Sequence, residues 1–177
     1  MRLRKYDGQC VRITDIDGNV FEGICAHNSA DYDEHEFGNY EESLQILSFI
    51  FYKSGIEKIE SLEKVDGPYG CFSEPFGKLE EMIVEDGADS IDDAVIDGEE
   101  EHVIRILRCI EKYIDDAEDD KLKDRAGIAE VMRKLAADTE YEDEEIRQKA
   151  AKLAELIGSR NDENGDEIKE CYGNEED

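Results

Sequence analysis

A net charge of −28 over 177 residues, from 49 Asp and Glu against 21 Lys and Arg, limits how this chain can fold more than any other feature. Like charges repel when a chain compacts, so each carboxylate without a partner has to be turned toward water. Hydrophobic residues make up 39% of the chain, so a core forms only where they cluster. The same field restricts partners. Nucleic-acid binding draws its affinity from Lys and Arg on phosphates, and this chain repels a polyanion. A basic protein surface is attracted instead, including one that nucleic acid normally occupies.

The excess charge is unevenly spread. Half of it, −14, lies between Lys64 and Asp120, whereas residues 121–160 are neutral. The candidate partner-binding carboxylates fall there in two clusters. Glu80, Glu81, Glu85, Asp86, Asp89, Asp92, Asp93, Asp97, Glu99, Glu100 and Glu101 form the first. Asp115, Asp116, Glu118, Asp119 and Asp120 form the second. Carboxylates spaced along ordered helices can stand for phosphates, although charge runs are also commonplace as solvated helix faces.

From Cys10 to Glu63 the pattern is β. Val11 and Ile13 alternate with Arg12 and Thr14, the period of a half-buried strand. Asp17-Gly18-Asn19 supplies turn chemistry, and Val20–Cys25 reads as a second strand. Gly23 inside it marks a bulge or bend. Residues 26–43 are polar and acidic and read as a loop. Leu44–Tyr52 is an apolar run fit for one or two buried strands; Ser54-Gly55 breaks it, and Ile56, Ile59 and Leu62 close the region.

The hairpin VRITDIDGNVFEGIC, the short helix-like stretch Leu3–Tyr6 before it and the closing FYKSGIEKIESLE resemble the Sm-like fold, a five-stranded bent-sheet barrel. The hairpin is especially similar to short Sm-like proteins of Gram-positive bacteria. The resemblance implies a barrel over residues 1–63. The family's RNA pocket is not matched: the residues after Gly23 read Ile-Cys-Ala-His-Asn-Ser-Ala-Asp, and Ser54 stands where the family places Arg before Gly55. The resemblance therefore implies a fold and not RNA binding.

Residues 64–72 read as a linker, with Asp66-Gly67-Pro68-Tyr69-Gly70 as its turn. Ser73 is a candidate N-cap with Pro75 in the first turn, and Phe76, Leu79 and Ile83 recur at helical spacing up to Asp86-Gly87. Ser90-Ile91-Asp92-Asp93 resembles a capping box and opens a turn or two ending at Asp97-Gly98. Asp97 then caps the clearest helix, whose face is Val103, Leu107, Ile110 and Ile114. Another helix runs from about Lys121 to Ala137, and a last one opens at Thr139 or Asp143 and stops at Gly158. The expected architecture is α+β: a five-stranded barrel over 1–63, a linker over 64–72, a bundle of short helices over 73–158 and a flexible acidic tail over 159–177.

No nucleophile elbow, phosphate-binding loop, HExxH or dinucleotide fingerprint occurs. The five cysteines, at 10, 25, 71, 109 and 171, are widely and irregularly spaced without a CxxC pair, so reduced, mostly buried thiols are expected. Cys25, His27 and His35 lack zinc spacing. Asp15-x-Asp17-Gly18 reads as a hairpin turn, not a calcium loop, and His102 as a solvated surface residue beside three glutamates. No catalytic residue, metal or cofactor is expected. No apolar run reaches the length of a membrane span and no signal peptide is read, so a cytoplasmic site is expected, in a bacterium or in the host of a phage.

The composition is similar in kind to acidic anti-CRISPR and anti-restriction proteins. That likeness implies a non-enzymatic inhibitor occupying the basic channel of a nuclease or other DNA- or RNA-handling protein. Two alternatives stand beside it: an Sm-like protein that binds RNA or assembles into a ring, and an adaptor or immunity-type protein that binds one partner through its helices.

Overall fold

The structure, a computed structural model, describes residues 2–64, 70–115, 121–139, 141 and 143–167. After a 3-10 turn at Leu3–Tyr6, strands β1 (Cys10–Asp15) and β2 (Val20–Ile24) form the hairpin that the alternation predicts. Val11 stands opposite Gly23, and Ile13 opposite Phe21. The Asp15 carboxylate closes the turn, accepting from the backbone N–H of Asp17 and Asn19 and from the Asn19 side chain. Strand β6 (Ile56–Ser61) pairs with the other edge of β1.

The remaining strands correct the expected barrel. Strands β3 (Ala26–Asn28), β4 (Ser43–Ile46) and β5 (Phe49–Tyr52) form a separate sheet. The β region is thus two open three-stranded antiparallel sheets, ordered β2-β1-β6 and β3-β4-β5, and not a five-stranded Sm-like barrel. The physical reason lies at Cys25. Its backbone still bonds to Gln9 and Gly8, but the next three residues leave that ladder and pair with β4. Among the described residues no ladder joins β5 to β6, so no ring of strands closes.

Residues 26–43 also hold more than a loop. Helix α1 (Ala30–Phe37) lies within them. The Ser29 hydroxyl accepts from the Tyr32 N–H at its start, and Gly38, with φ 73°, ends it in the left-handed conformation.

Five helices follow: α2 (Lys78–Asp86), α3 (Ala88–Asp97), α4 (Glu100–Asp115), α5 (Arg125–Ala137) and α6 (Glu144–Glu167). Their starts depart from the expected caps. Helix α2 opens after Gly77, because the Ser73 hydroxyl is held by Glu22 and Arg12. Helix α3 opens two residues ahead of Ser90, where Gly87 turns the chain at φ 107°. The Glu99 carbonyl, not the Asp97 side chain, accepts the first N–H groups of α4. Asp124 caps α5 through the Gly127 N–H, and Asp143 accepts from Glu145 and Ile146 at the start of α6. Helix α6 runs past Gly158 to Glu167, so that glycine is no stop signal. The core of the expected linker (65–69) and the end of the expected tail (168–177) lie outside the described residues.

A second correction concerns sulfur. Cys10 and Cys71, 61 positions apart in sequence, form a disulfide with a Cα–Cα distance of 6.2 Å. Cys25 and Cys109 are buried free thiols, whereas Cys171 lies outside the described residues. Burial pushes the Cys109 thiol up to about 12, with Glu81 and Glu80 adding to the shift.

Helix α4 explains how strands and helices share one core. Its Val103, Ile106, Leu107, Ile110 and Ile114 are buried, as are Val11, Ile13, Leu44 and Ile46 of the sheets and Ile83, Ile91, Met132 and Leu153 of the other helices, all in one cluster. At Gly23 the first sheet packs directly against this helix. A Cβ there would run into Ile46 and the His102 ring. Gly23→Ala should therefore destabilise the protein by about 1–3 kcal/mol through overpacking, read as a lower urea midpoint. An unchanged midpoint would show that strand and helix do not meet this closely.

Candidate functional site

The polar residues of α2 and α4 split into an inward group and an outward group. The inward group is centred on Glu80, which is 0% exposed, and so corrects its assignment as a partner-binding residue. Arg105 grips it from α4 as a fork, Nε to Oε1 at 2.7 Å and Nη2 to Oε2 at 3.2 Å. The Gly77 N–H donates to Oε2 at 2.7 Å. Arg105 also donates to the Glu74 carbonyl at 2.6 Å and lies over the Phe72 ring, 4.0 Å from its centroid. Next to it, Arg12 and the Ser73 hydroxyl donate to the carboxylate of Glu22, a nearly buried residue of β2.

His102 belongs to this inward group and not to the surface, a further correction. It is 1% exposed and packs edge-on against Phe72. Its Nδ1 lies 3.5 Å from Glu80 Oε1, close enough for electrostatic attraction but not aligned as a hydrogen bond. Both ring nitrogens lack a hydrogen-bond partner among the described residues.

Burial alone would raise the Glu80 pKa. His102, Arg105 and the Gly77 N–H outweigh it and hold the carboxyl down to about 2, from an ordinary 4.5.

The outward group is the acidic face. Asp86, Asp89, Asp93, Asp97, Glu99 and Glu100 are exposed, and none has an ion-pair partner among the described residues. Asp89, Asp93 and Asp97 recur every four residues along α3 and so share a face. Their axial step of about 6 Å compares with ~3.4 Å between successive phosphates of one DNA strand. The remaining first-cluster residues are partly engaged. Asp92 pairs with Lys134 at 3.7 Å, Glu85 with Lys121 at 3.5 Å, and the half-buried Glu101 with Lys64 at 2.8 Å. Glu81 is half-buried; burial raises the Tyr113 pKa, and Cys109, Glu81 and Glu85 add to the shift. Asp115 is exposed at the end of α4. Asp116, Glu118, Asp119 and Asp120 lie outside the described residues.

Tyr141 reports the potential over this face. Burial, then the negative charges of Glu100, Asp143, Asp138 and Glu99, push its hydroxyl up to about 12. An apolar contact point lies among these charges. Ile96 is 72% exposed and borders a cavity of about 450 Å³ lined also by Asp92, Val95, Leu135 and Tyr141. Sequence reasoning missed both Ile96 and the Arg105–Glu80 fork.

No family model matches this chain, no curated protein is significantly similar to it, and no solved structure matches it. Among the described residues no helix is long and apolar enough to cross a membrane, and no group of three or more His, Cys, Asp or Glu is placed to hold a metal ion.

The buried fork makes stability depend on pH in a definite direction. Because the folded-state pKa of Glu80 is depressed, its contribution is full above 4.5 and lost as pH falls toward 2. A shift of that size corresponds to about 3 kcal/mol. Glu80→Gln should lower the melting temperature at neutral pH, and its gap from wild type should close as pH is lowered through that window. A gap that stayed constant with pH would show that the Glu80 charge contributes nothing.

Proposed function

We propose that this protein is a non-enzymatic inhibitor that occupies a basic, nucleic-acid-binding surface of a nuclease or other DNA- or RNA-handling protein, in the manner of anti-CRISPR or anti-restriction proteins. It would act in the bacterial cytoplasm, where such enzymes work on their substrates. The observation that carries the reading is the row of exposed carboxylates Asp86, Asp89, Asp93, Asp97, Glu99 and Glu100, without ion-pair partners among the described residues, on and beside helices fixed by a common core. Ordered carboxylates need no reorganisation before they meet Arg and Lys, so less affinity is spent on ordering than for a tail.

Mechanistically, the field steers the basic partner into contact, and apolar contacts around Ile96 then slow its release. The inhibitor neutralises the phosphate-binding cations by occupying them, without bond making or breaking. The exposure of Ile96 beside a cavity also favours a second reading, an adaptor that docks mainly through apolar contact on α3 and α5.

Salt separates the two. The partner recovered on immobilised protein from nuclease-treated lysate is purified, and its affinity is measured across a salt series. The mimic predicts a steep fall in affinity with salt and competition by DNA or RNA. Reversing Asp93, Asp97, Glu99 and Glu100 to Lys should weaken binding by at least 100-fold. Affinity that is flat in salt, unaffected by the reversal but lost in Ile96→Asp would replace the mimic with the adaptor.

A further inference from the structure

Residues 70–77 form a strap that runs from the Cys10–Cys71 bridge on β1 to the start of α2. Its far end is fixed. Phe76 packs against the core with Lys112 over its ring, and the Gly77 N–H donates to Glu80. Its middle is held differently. Among the described residues Cys71 and Phe72 are buried, at 5% and 4% exposure, without belonging to the apolar cluster that joins sheets and helices. A short set of contacts keeps them in place. Ser73 donates to Glu22 from its N–H at 3.2 Å and from its hydroxyl at 2.9 Å, Arg105 donates to the Glu74 carbonyl, and Phe72 meets both the Arg105 guanidinium and the His102 ring. A cavity of about 450 Å³, walled by Ser73, Glu74, Phe76 and Gly77 on the strap and by Arg12 and Arg105 outside it, leaves open space along one side.

The near end of the strap depends on sulfur. Cys10 is half-buried, whereas Cys71 is 5% exposed, so an incoming thiolate meets Cys10 first. The other described cysteines do not compete for the bridge. Cys25 and Cys109 are buried free thiols, and burial pushes them up to about 11 and about 12. Both stay protonated at neutral pH, and a thiol is a poor nucleophile. Beside the strap, Arg105 and His102 are each 1% exposed, and the strap supplies Phe72 and the Glu74 carbonyl to their shelter.

We propose that Cys10–Cys71 is a redox latch on this strap: a dithiol reductant opens it, and residues 71–74 then come loose from Arg105 and His102 while the core stays folded. A thiolate of the reductant bonds to Cys10 Sγ as the bond between the two cysteine sulfurs breaks, and Cys71 leaves as a thiolate that takes up a proton. The second thiolate of the reductant then displaces Cys10, which is protonated in turn. Two electrons and two protons pass to the protein, and the reductant leaves as its cyclic disulfide. An oxidised dithiol runs the same steps backwards. Reversible use of the bridge rests on the cytoplasmic setting of the proposed function, since disulfides in reducing compartments are usually transient. The test reads thiols and backbone order, not inhibition, so the two proposals fail separately.

The full-length, isotope-labelled protein is compared in its oxidised and dithiothreitol-reduced forms. Alkylation of the unfolded, oxidised form should trap three thiols, the five cysteines less the bridged pair, and alkylation after reduction all five. NMR order parameters at Phe72, Ser73 and Glu74 should fall on reduction from about 0.85 to below about 0.6, while those at Ile13, Met132 and Leu153 stay rigid. The His102 ring protons should shift as Phe72 leaves their side. Oxidised dithiothreitol should restore both signals. Cys10→Ser/Cys71→Ser should match the reduced form whether or not reductant is present. Five alkylated thiols in the oxidised form, a strap equally rigid in both forms, or no recovery on reoxidation would overturn the latch. Loss of the whole folded spectrum on reduction would overturn it as well and make the bridge a staple of the fold. The wild-type comparison needs no variant, so the result does not hinge on how the serine pair folds.

Discussion

The Glu80 carboxylate has zero exposure in a chain of net charge −28, and the Arg105 fork answers its charge inside the core. Desolvating two ions costs several kcal/mol each, recovered only with close geometry and saturated lone pairs. Both conditions are met. The guanidinium engages both carboxylate oxygens, the Gly77 N–H takes a further lone pair, and the spare arginine donor reaches the Glu74 carbonyl. The fork joins α2 to α4 and pins the segment before α2. Through Ser73 and Glu22 that segment is tied in turn to β2 and Arg12. Four stretches distant in sequence thereby share one polar node inside an apolar cluster.

This node sets what the surface can present. With α2 and α4 fixed, α3 between them is fixed too, and its exposed aspartates keep their spacing. Charge on such a frame differs from charge on a solvated tail, which gains little from any one arrangement. The frame also has a cost. Like charges held close together repel, and at Tyr141 burial, with the charges of Glu100, Asp143, Asp138 and Glu99 adding to it, raises the hydroxyl. The apolar cluster running from Leu3 to Ile157 opposes that repulsion.

Local signals were legible where the local rule and the final environment agree. The β1–β2 hairpin follows from period-2 alternation around Asp17-Gly18-Asn19, and α4 and α5 from their apolar stripes. Sheet closure was not legible, because the departure at Cys25 depends on pairing with β4 some twenty residues later. Ser73 looked like a cap because nothing in its neighbourhood reveals Glu22. His102 was misread because three glutamates flank it, although α4 carried a warning. Val103, Ile104, Ile106, Leu107, Ile110, Tyr113 and Ile114 leave little of the helix circumference for water. An Arg and a His within so wide an apolar band are buried, and Glu80 beside Leu79 on the apolar face of α2 is the acid that the Arg grips. The Cys10–Cys71 pairing had no local signal at all.

That disulfide turns part of the chain into a covalent ring. All six strands, from Cys10 in β1 to Ser61 in β6, lie within the loop it closes. So does α1, with the exposed Tyr32, Phe37 and Tyr40 in and beside it. A peptide bond cut anywhere in this loop leaves both ends fastened through sulfur. The sheet half and the helical half are therefore attached by two routes, one through the peptide chain and one through the bridge. A protease that nicks the outer loop opens the ring without releasing a fragment, and only cleavage combined with reduction separates the pieces.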